Sequence, residues 1–591
     1  MRITNKIMQN NSLSNINSTK VAEDNLSSQI SSGKKIVRPS DDPIIAIRAL
    51  RLRSNVTEIT QYYKSNVPDA EAWLNTTEDA MQQVTEVITD MLKQYTKGSN
   101  EDLTSADRNI ILEQLKALRD EVYATGDADY AGRYVFTGYR TETSLMFPKD
   151  TKETYEITEQ FMADDLKTGT WVETCYGVDK LDADGNPVPK LDENGNQIPK
   201  LDADGNPIPK LDADGNPVVD ANGTVYEVEM EQEYKNLATL QEGTQANYTD
   251  VTEQDIQTTE YYRIRLAYNN CDGNFVPTLS YYNKDAGAYK TYPEDPADMK
   301  KAKSTDVPSP YTSVGDDDVV YLSDTGEMLL GKNVYEALSA LEDDPLTEGV
   351  NEGEFRVTYR KTEFLDGDLR PEHYFYCKTA GKDGVVGDAD LTDGVDTAAD
   401  DIIYNPNYLT HNAPKQVIEY DVGFNQRLQV NTTADECFDP NIAREVDDMV
   451  QILENVQQIE NVVETLKGML EKETDDAKKA DLTKQLDAAN KAYSYAKENL
   501  QKAFESGITI VQGFLDQTNV AVTNCGARGS RLELVESRLS SQKTTFETLK
   551  SDNEDADLAE VAVQLTSAEL TYEAALKGTA KIMQTNLMDF I

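Results

Sequence analysis

The sequence predicts an α+β protein: helices at both ends that pair into an elongated, coiled-coil-like rod, with a large acidic β-rich insertion between them. Three observations predict it. Apolar residues recur at 3-4 spacing near both termini, aromatic and β-branched runs punctuated by Asn, Asp and Gly fill the middle, and the charge is concentrated there. The chain has 591 residues and a formal net charge of -49, from 57 basic and 106 acidic side chains. Residues 1–140 hold 17 basic and 19 acidic side chains, residues 441–591 hold 16 and 26, and the centre holds the remaining 24 and 61.

At the N-terminal side, Met81, Val84, Val87, Ile88, Met91 and Tyr95 draw a stripe along one helix face. Ile111, Leu115, Leu118 and Val122 draw a second after the break at 98–100, and the two helices can form an antiparallel pair. At the C-terminal side, Val446, Val450, Leu453, Val456, Val463, Leu466 and Leu470 form one stripe, and Leu532, Val535, Leu539, Phe546 and Leu549 another. The last stripe, Leu558, Val561, Leu565, Ala568, Tyr572, Ala575 and Ile582, is a narrow seam that requires a partner helix. Gly33 and the segment Pro39–Pro43 should break the first helix from the second, because proline disfavours helix in the residue before it.

In the centre, YYRIRLAY at 261–268 and FVPTLSYY at 275–282 have strand composition. Before them stands a fourfold decapeptide array, with copies starting at Lys180, Lys190, Lys200 and Lys210. Each copy holds an Asp-Gly or Asn-Gly pair (Asp184-Gly185, Asn194-Gly195, Asp204-Gly205, Asp214-Gly215). A calcium loop of the EF-hand type needs three spaced carboxylates before its glycine and a bidentate Glu at position 12; that place falls on Leu211 when Gly205 takes position 6. The array is therefore expected to form turns joined by extended, proline-containing links.

The charge excludes nucleic-acid and anionic-membrane partners, since it repels both. Five widely spaced cysteines (175, 271, 377, 437 and 525) give neither a disulfide framework nor a zinc knuckle. The start MRITNKIMQNNSLSN lacks the apolar stretch of a cleaved signal peptide, and no apolar run approaches the roughly 18 residues of a membrane helix. His373 and Cys377 stand four apart, but a zinc site takes about four ligands and His411 is the remaining histidine; the run Tyr374-Phe375-Tyr376 favours a strand. With no base for a nucleophile, no enzyme, cofactor or metal site is expected. The acidic pairs Asp41-Asp42 and Asp475-Asp476 fall at helix starts, where they cap free N–H groups. The nine basic residues within 1–53 are expected to meet the acidic run Asp552–Glu560.

The stretch LSSQISSGKKIVRPSDDP at 26–43 resembles the N-terminal signature of the flagellin superfamily, and its PSDDP element is similar to that of the hook-associated protein 3 branch. GRYVFTGY at 132–139, Gly526-Ala527-Arg528 and the ending LMDFI at 587–591 agree, with a weaker echo at 319–341. The resemblance covers roughly residues 1–145 and 420–591. It implies a structural subunit of the bacterial flagellum at the junction of hook and filament, polymerising helix on helix. The implied partners are hook-associated protein 1 on the hook side, flagellin on the filament side, further copies in a ring, an export chaperone and the type III export apparatus. The location implied is extracellular, reached without a cleaved signal peptide. On this basis residues 1–43 are the N-terminal inner-rod helix with its linker and 44–145 rod helices with a hairpin. Residues 146–420 are the outer insertion, 421–550 the C-terminal rod helices and 551–591 the C-terminal inner-rod helix. Leu26, Ile30, Leu558, Val561, Leu565, Tyr572 and Ile582 are expected at the assembly interface. Two other readings are a filament-forming flagellin and a calcium-dependent surface adhesin built on the array.

Overall fold

The computed structural model describes residues 5–584 except 101–102, 173–174, 181–186, 192–196, 201–206, 211–216, 221–222, 237–251, 255, 285, 296–297, 307–308, 344–350, 381–385, 387–400 and 411–414. The described helices are α1 (Asn5–Ser32), α2 (Pro43–Gln61), α3 (Val67–Gly98), α4 (Ser105–Thr125), α5 (Lys332–Ser339), α6 (Asn441–Lys472), α7 (Asp476–Glu554) and α8 (Leu558–Gln584). A π-helical turn, Tyr62–Asn66, joins α2 to α3. The chain divides into two compact units. One comprises residues 1–75, 417–431 and 524–591; the other comprises 76–416 and 432–523.

In the first unit, α1 packs against α8. The start of α3 buries Val67, Ala70, Trp73 and Leu74, and the lower part of α7 buries Cys525, Leu532, Val535 and Leu539. A hairpin of β18 (Glu419–Gly423) and β19 (Gln426–Gln429) belongs to the same unit. It is fixed by Asn66, which donates to the Asp421 carbonyl at 2.7 Å, and by Phe424, edge-on to Tyr62. Arg528, of the Gly526-Ala527-Arg528 motif, donates to the Asn431 carbonyl at 2.6 Å.

The second unit starts its β-structure with a short hairpin, β1 (Asp129–Tyr130) and β2 (Arg133–Tyr134). Next in the chain are β3 (Tyr155–Phe161), β4 (Lys167–Val172), β5 (Cys175–Asp179), β6 (Val219–Asp220), β7 (Gly223–Thr224) and β8 (Gln232–Asn236). Then come β9 (Thr258–Arg265), β10 (Thr278–Asn283), β11 (Ala288–Tyr292), β12 (Lys300–Ala302), β13 (Val319–Leu322) and β14 (Glu327–Leu330). The last are β15 (Phe355–Lys361), β16 (Tyr376–Thr379) and β17 (Ile402–Tyr404). They build a six-stranded antiparallel sheet, β11-β10-β15-β3-β16-β17, and a five-stranded sheet, β12-β13-β14-β9-β4, whose β12–β13 pair is parallel.

Strand patterning explains the core between them. β15 alternates buried and half-buried residues and sends Phe355, Val357 and Tyr359 inward. β13 and β14 are buried on both faces: Val319, Tyr321, Met328 and Leu330 join the main core, while Val320, Leu322 and Leu329 pack with Tyr311 on the other side. The runs at 261–268 and 275–282 overlap β9 and β10, with 266–268 beyond the end of β9 and 275–277 ahead of β10. The predicted helix stripes lie on α3, α4, α6 and α7, with α4 packed on α6. Met81, Val84, Ile88, Met91, Tyr95, Ile111, Leu115, Val446, Leu453, Val456, Val463 and Leu466 are buried. GRYVFTGY buries Val135 and Phe136 and turns at Gly138 (φ +60°), where a Cβ would sit 2.2 Å from Gln416 Oε1.

Candidate assembly surface

The first unit is organised around a break that occurs twice. α1 ends at Gly33, whose φ of +67° is left-handed and whose N–H donates to the Gln29 carbonyl at 2.8 Å. α2 then starts under an Asp42 cap, whose Oδ1 accepts from the N–H groups of Ile44 (2.9 Å) and Ile45 (3.1 Å). Asp41 accepts from the N–H groups of Val37 and Arg38 and closes the intervening loop. The second break, between α7 and α8, is tied to the first. The Lys35 N–H donates to the Glu554 carbonyl at 2.7 Å, and the Ala556 N–H donates to the Gly33 carbonyl at 3.0 Å.

Side chains complete the tie. Arg53 donates to both Glu554 carboxylate oxygens, at 2.6 and 2.8 Å. Lys34 bonds Asp555 and stands 3.6 Å from Glu554, whose side chain is 3% exposed. The Arg53 hydrogen bond holds the Glu554 carboxyl below its ordinary range, and the Lys34 bond does the same for Asp555. The basic stretch thus meets the acidic run, chiefly through Lys34 and Arg53.

Because the end of α1 is bonded to the start of α8, the two helices run back antiparallel along each other. Ser12, Ile16, Thr19, Glu23, Leu26 and Ile30 step by four and three along α1, and all but Ile30 are buried or half-buried. On α8, Val561 is buried, and Leu565, Ala568, Tyr572 and Ala575 are half-buried. Of the seven expected interface residues, then, Leu26, Val561, Leu565 and Tyr572 line this intramolecular seam. Leu558 and Ile30 remain exposed, and the side chain of Ile582 lies outside the described residues.

The surface that remains open lies off the seam predicted from the sequence. Leu13 and Val21 on α1 are exposed, as are Ile44, Ile47 and Leu50 on α2 and Val563 (72%), Leu570 (70%) and Leu576 (44%) on α8. The signal was available: α8 carries these three apolar residues between its seam positions, so its apolar residues fall on more than one face.

The other candidate centres take structural places. His373 ends a one-turn helix, Pro371–His373, while Cys377 sits buried in β16, so they share no helix face. The His373 Nε2 faces the Ser144 carbonyl at 2.9 Å, and burial pushes its pKa down to about 4. His411 and the four Asp-Gly or Asn-Gly pairs of the array lie outside the described residues, as does the LMDFI ending. Asp475 caps α7 by accepting from the Ala477 N–H at 2.9 Å. Among the described residues, no group of three or more His, Cys, Asp or Glu is placed to hold a metal ion. No described helix is long and apolar enough to cross a membrane.

Residues 3–141 match the family model of the bacterial flagellin N-terminal helical region. Flagellar hook-associated protein 3 of Salmonella typhimurium is 30% identical over 145 residues, which is 24% of this chain and 45% of that protein. A flagellin of Clostridium tyrobutyricum is 27% identical over 122 residues, 21% of this chain and 32% of that one. The chain thus spans about half the length, or less, of these relatives. Among solved structures, a flagellar hook-associated protein from Vibrio parahaemolyticus aligns with 87% of this chain and all of its own, at 12% identity and a TM-score of 0.28. Residues 3–141 are thus similar to the N-terminal helical region of bacterial flagellins, and a 145-residue stretch of the chain is similar to flagellar hook-associated protein 3.

Proposed function

We propose that this chain is a non-enzymatic structural subunit of the bacterial flagellum that forms the junction between hook and filament. The observation that carries the reading is the α1–α8 pair. Its inner seam is closed within the chain while large apolar residues stay exposed on the outer faces of both helices, the arrangement of a coiled-coil pair that packs against neighbouring pairs. The match of residues 3–141 to the flagellin N-terminal helical region and the 30% identity over 145 residues to a flagellar hook-associated protein 3 support it. In this reading residues 1–43 and 551–591 are the inner-rod pair, 44–145 and 421–550 the outer rod helices, and 146–420 the projecting insertion. The partners would be hook-associated protein 1, flagellin and further copies of the chain, after extracellular delivery through a chaperone and the type III apparatus. The interface then comprises two layers. Leu26, Val561, Leu565 and Tyr572 hold the pair together, and Val563, Leu570, Leu576, Leu558, Ile30 and Ile582 meet neighbours.

The test is the double substitution Val563→Asp with Leu570→Asp in cells. The purified variant should melt as the wild type does, while the cells build hooks without filaments. Full filaments on normal hooks would overturn the reading. The similarity to a flagellin favours a second reading, a filament subunit. Purified protein that grows long filaments unaided would establish it over the junction role.

A further inference from the structure

The decapeptide array and the strand that follows it form one paired object. β5 pairs antiparallel with β8, from Cys175 opposite Asn236 to Asp179 opposite Gln232. The ladder does not stop there. The Lys180 N–H donates to the Glu231 carbonyl, the Glu231 N–H donates to the Val188 carbonyl, and the Val188 N–H donates to the Lys180 carbonyl, all at 2.7–2.8 Å. The same triangle recurs with Lys190, Ile198 and Glu229, with Lys200, Ile208 and Glu227, and with Lys210, Val218 and Val225. Each ten-residue repeat therefore moves the pairing on by two residues of the strand. The bridges Pro189 to Met230, Pro199 to Val228 and Pro209 to Tyr226 record that step.

The residue types fit this use. Val or Ile before proline favours extended backbone. Each proline faces its partner at a pair whose flanking residues make the ladder bonds, so its missing N–H costs none. Each repeat brings a lysine beside alternate strand residues, and Lys180 and Lys190 pair with Glu231 and Glu229 at 2.6 and 3.0 Å. The fourth copy reads Val218-Val219-Asp220 in place of Val-Pro-Lys, and there the chain turns through the β6–β7 hairpin into the strand itself.

We infer that the strand 225–231 is a template that accepts one Val/Ile-Pro-Lys tripeptide every two residues, so that strand length fixes the number of repeats. The partner that fits each tripeptide is a Glu-apolar step of extended chain, supplied here by the same molecule. Successive tripeptides are then spaced by two strand residues, or roughly 7 Å. One repeat can be gained or lost only together with two strand residues if the flanking pairs β5–β8 and β6–β7 are to keep register.

Hydrogen exchange at single-residue resolution on the full chain tests this. The amides of Val225, Glu227, Glu229 and Glu231 should exchange at least about tenfold more slowly than those of Tyr226, Val228 and Met230. Deleting 191–200 alone should remove protection from either β5–β8 or the β6–β7 hairpin, and deleting Val228-Glu229 as well should restore it. Uniform exchange along 225–231, or equal protection in the single and paired deletions, would overturn the template. Unchanged cooperative melting of the rest of the chain in both deletions rules out global unfolding as the cause.

Discussion

The α1–α8 pair and the α6 helix are built from the same kind of amphipathic repeat, yet they end in different environments. α6 buries Val446, Leu453, Val456, Val463 and Leu466. α8, among its described side chains, buries Val561, half-buries Leu565, Ala568, Tyr572 and Ala575, and leaves Val563, Leu570 and Leu576 in solvent. Helical periodicity specifies that a face must be covered; only the number of apolar faces tells whether one partner is enough. In the proposed role, the apolar residues of α8 beyond its seam are the part that neighbouring copies cover.

Four measurements test that contrast. The largest effect is expected at Leu466→Ala, fully buried on α6, which should cost about 2–5 kcal/mol in denaturant unfolding. A loss below about 1 kcal/mol would mean that α6 is no better packed than α8.

Next come two titrations in the second unit, of opposite sign. Burial raises the Glu159 carboxyl to about 7, although the Tyr359 hydroxyl and the Ala267 N–H donate to it. The native state holds that proton where the unfolded chain has lost it, so stability falls as pH rises from about 4.5 to 7. Glu159→Gln should gain on the wild type across that window by on the order of 3 kcal/mol. Burial lowers His373 to about 4, so the unfolded chain takes up a proton first and stability falls as pH drops from about 6.5 to 4. His373→Asn should lose that dependence. Melting curves across pH 4–7 check both, and parallel profiles for variants and wild type would refute the buried assignments.

A smaller effect is expected where the helix breaks meet. Glu554→Gln removes the charge that Arg53 and Lys34 surround and should cost about 1–3 kcal/mol. Its carboxyl is depressed in the native state, so the wild-type advantage is present above about pH 4.5 and fades as pH falls further. The readout is exchange protection of α1 and α8, and protection equal to wild type at pH 7 would show that the backbone bonds alone hold the tie.

The smallest effect is expected at Leu570→Ala, 70% exposed, within about 0.5 kcal/mol of wild type in the monomer. If the chain has the proposed junction role, the same change should weaken filament attachment under shear in cells. A marked monomer destabilisation would move Leu570 from the open surface into an intramolecular core.

Legible in the sequence were the helix stripes, the strand composition at 261–268 and 275–282, the caps at Asp42 and Asp475, and the meeting of a basic with an acidic stretch. Each is a short-range pattern: periodicity, side-chain branching or a carboxylate before a helix. Tertiary structure alone decided which cation meets which anion, with Arg53 and Lys34 converging on Glu554 from positions some 500 residues away in the chain. It also decided that the array's proline links are ladder partners of 225–231 and not free connectors. Both depend on which backbone is brought alongside, a choice made by the whole packing and written in no local spacing.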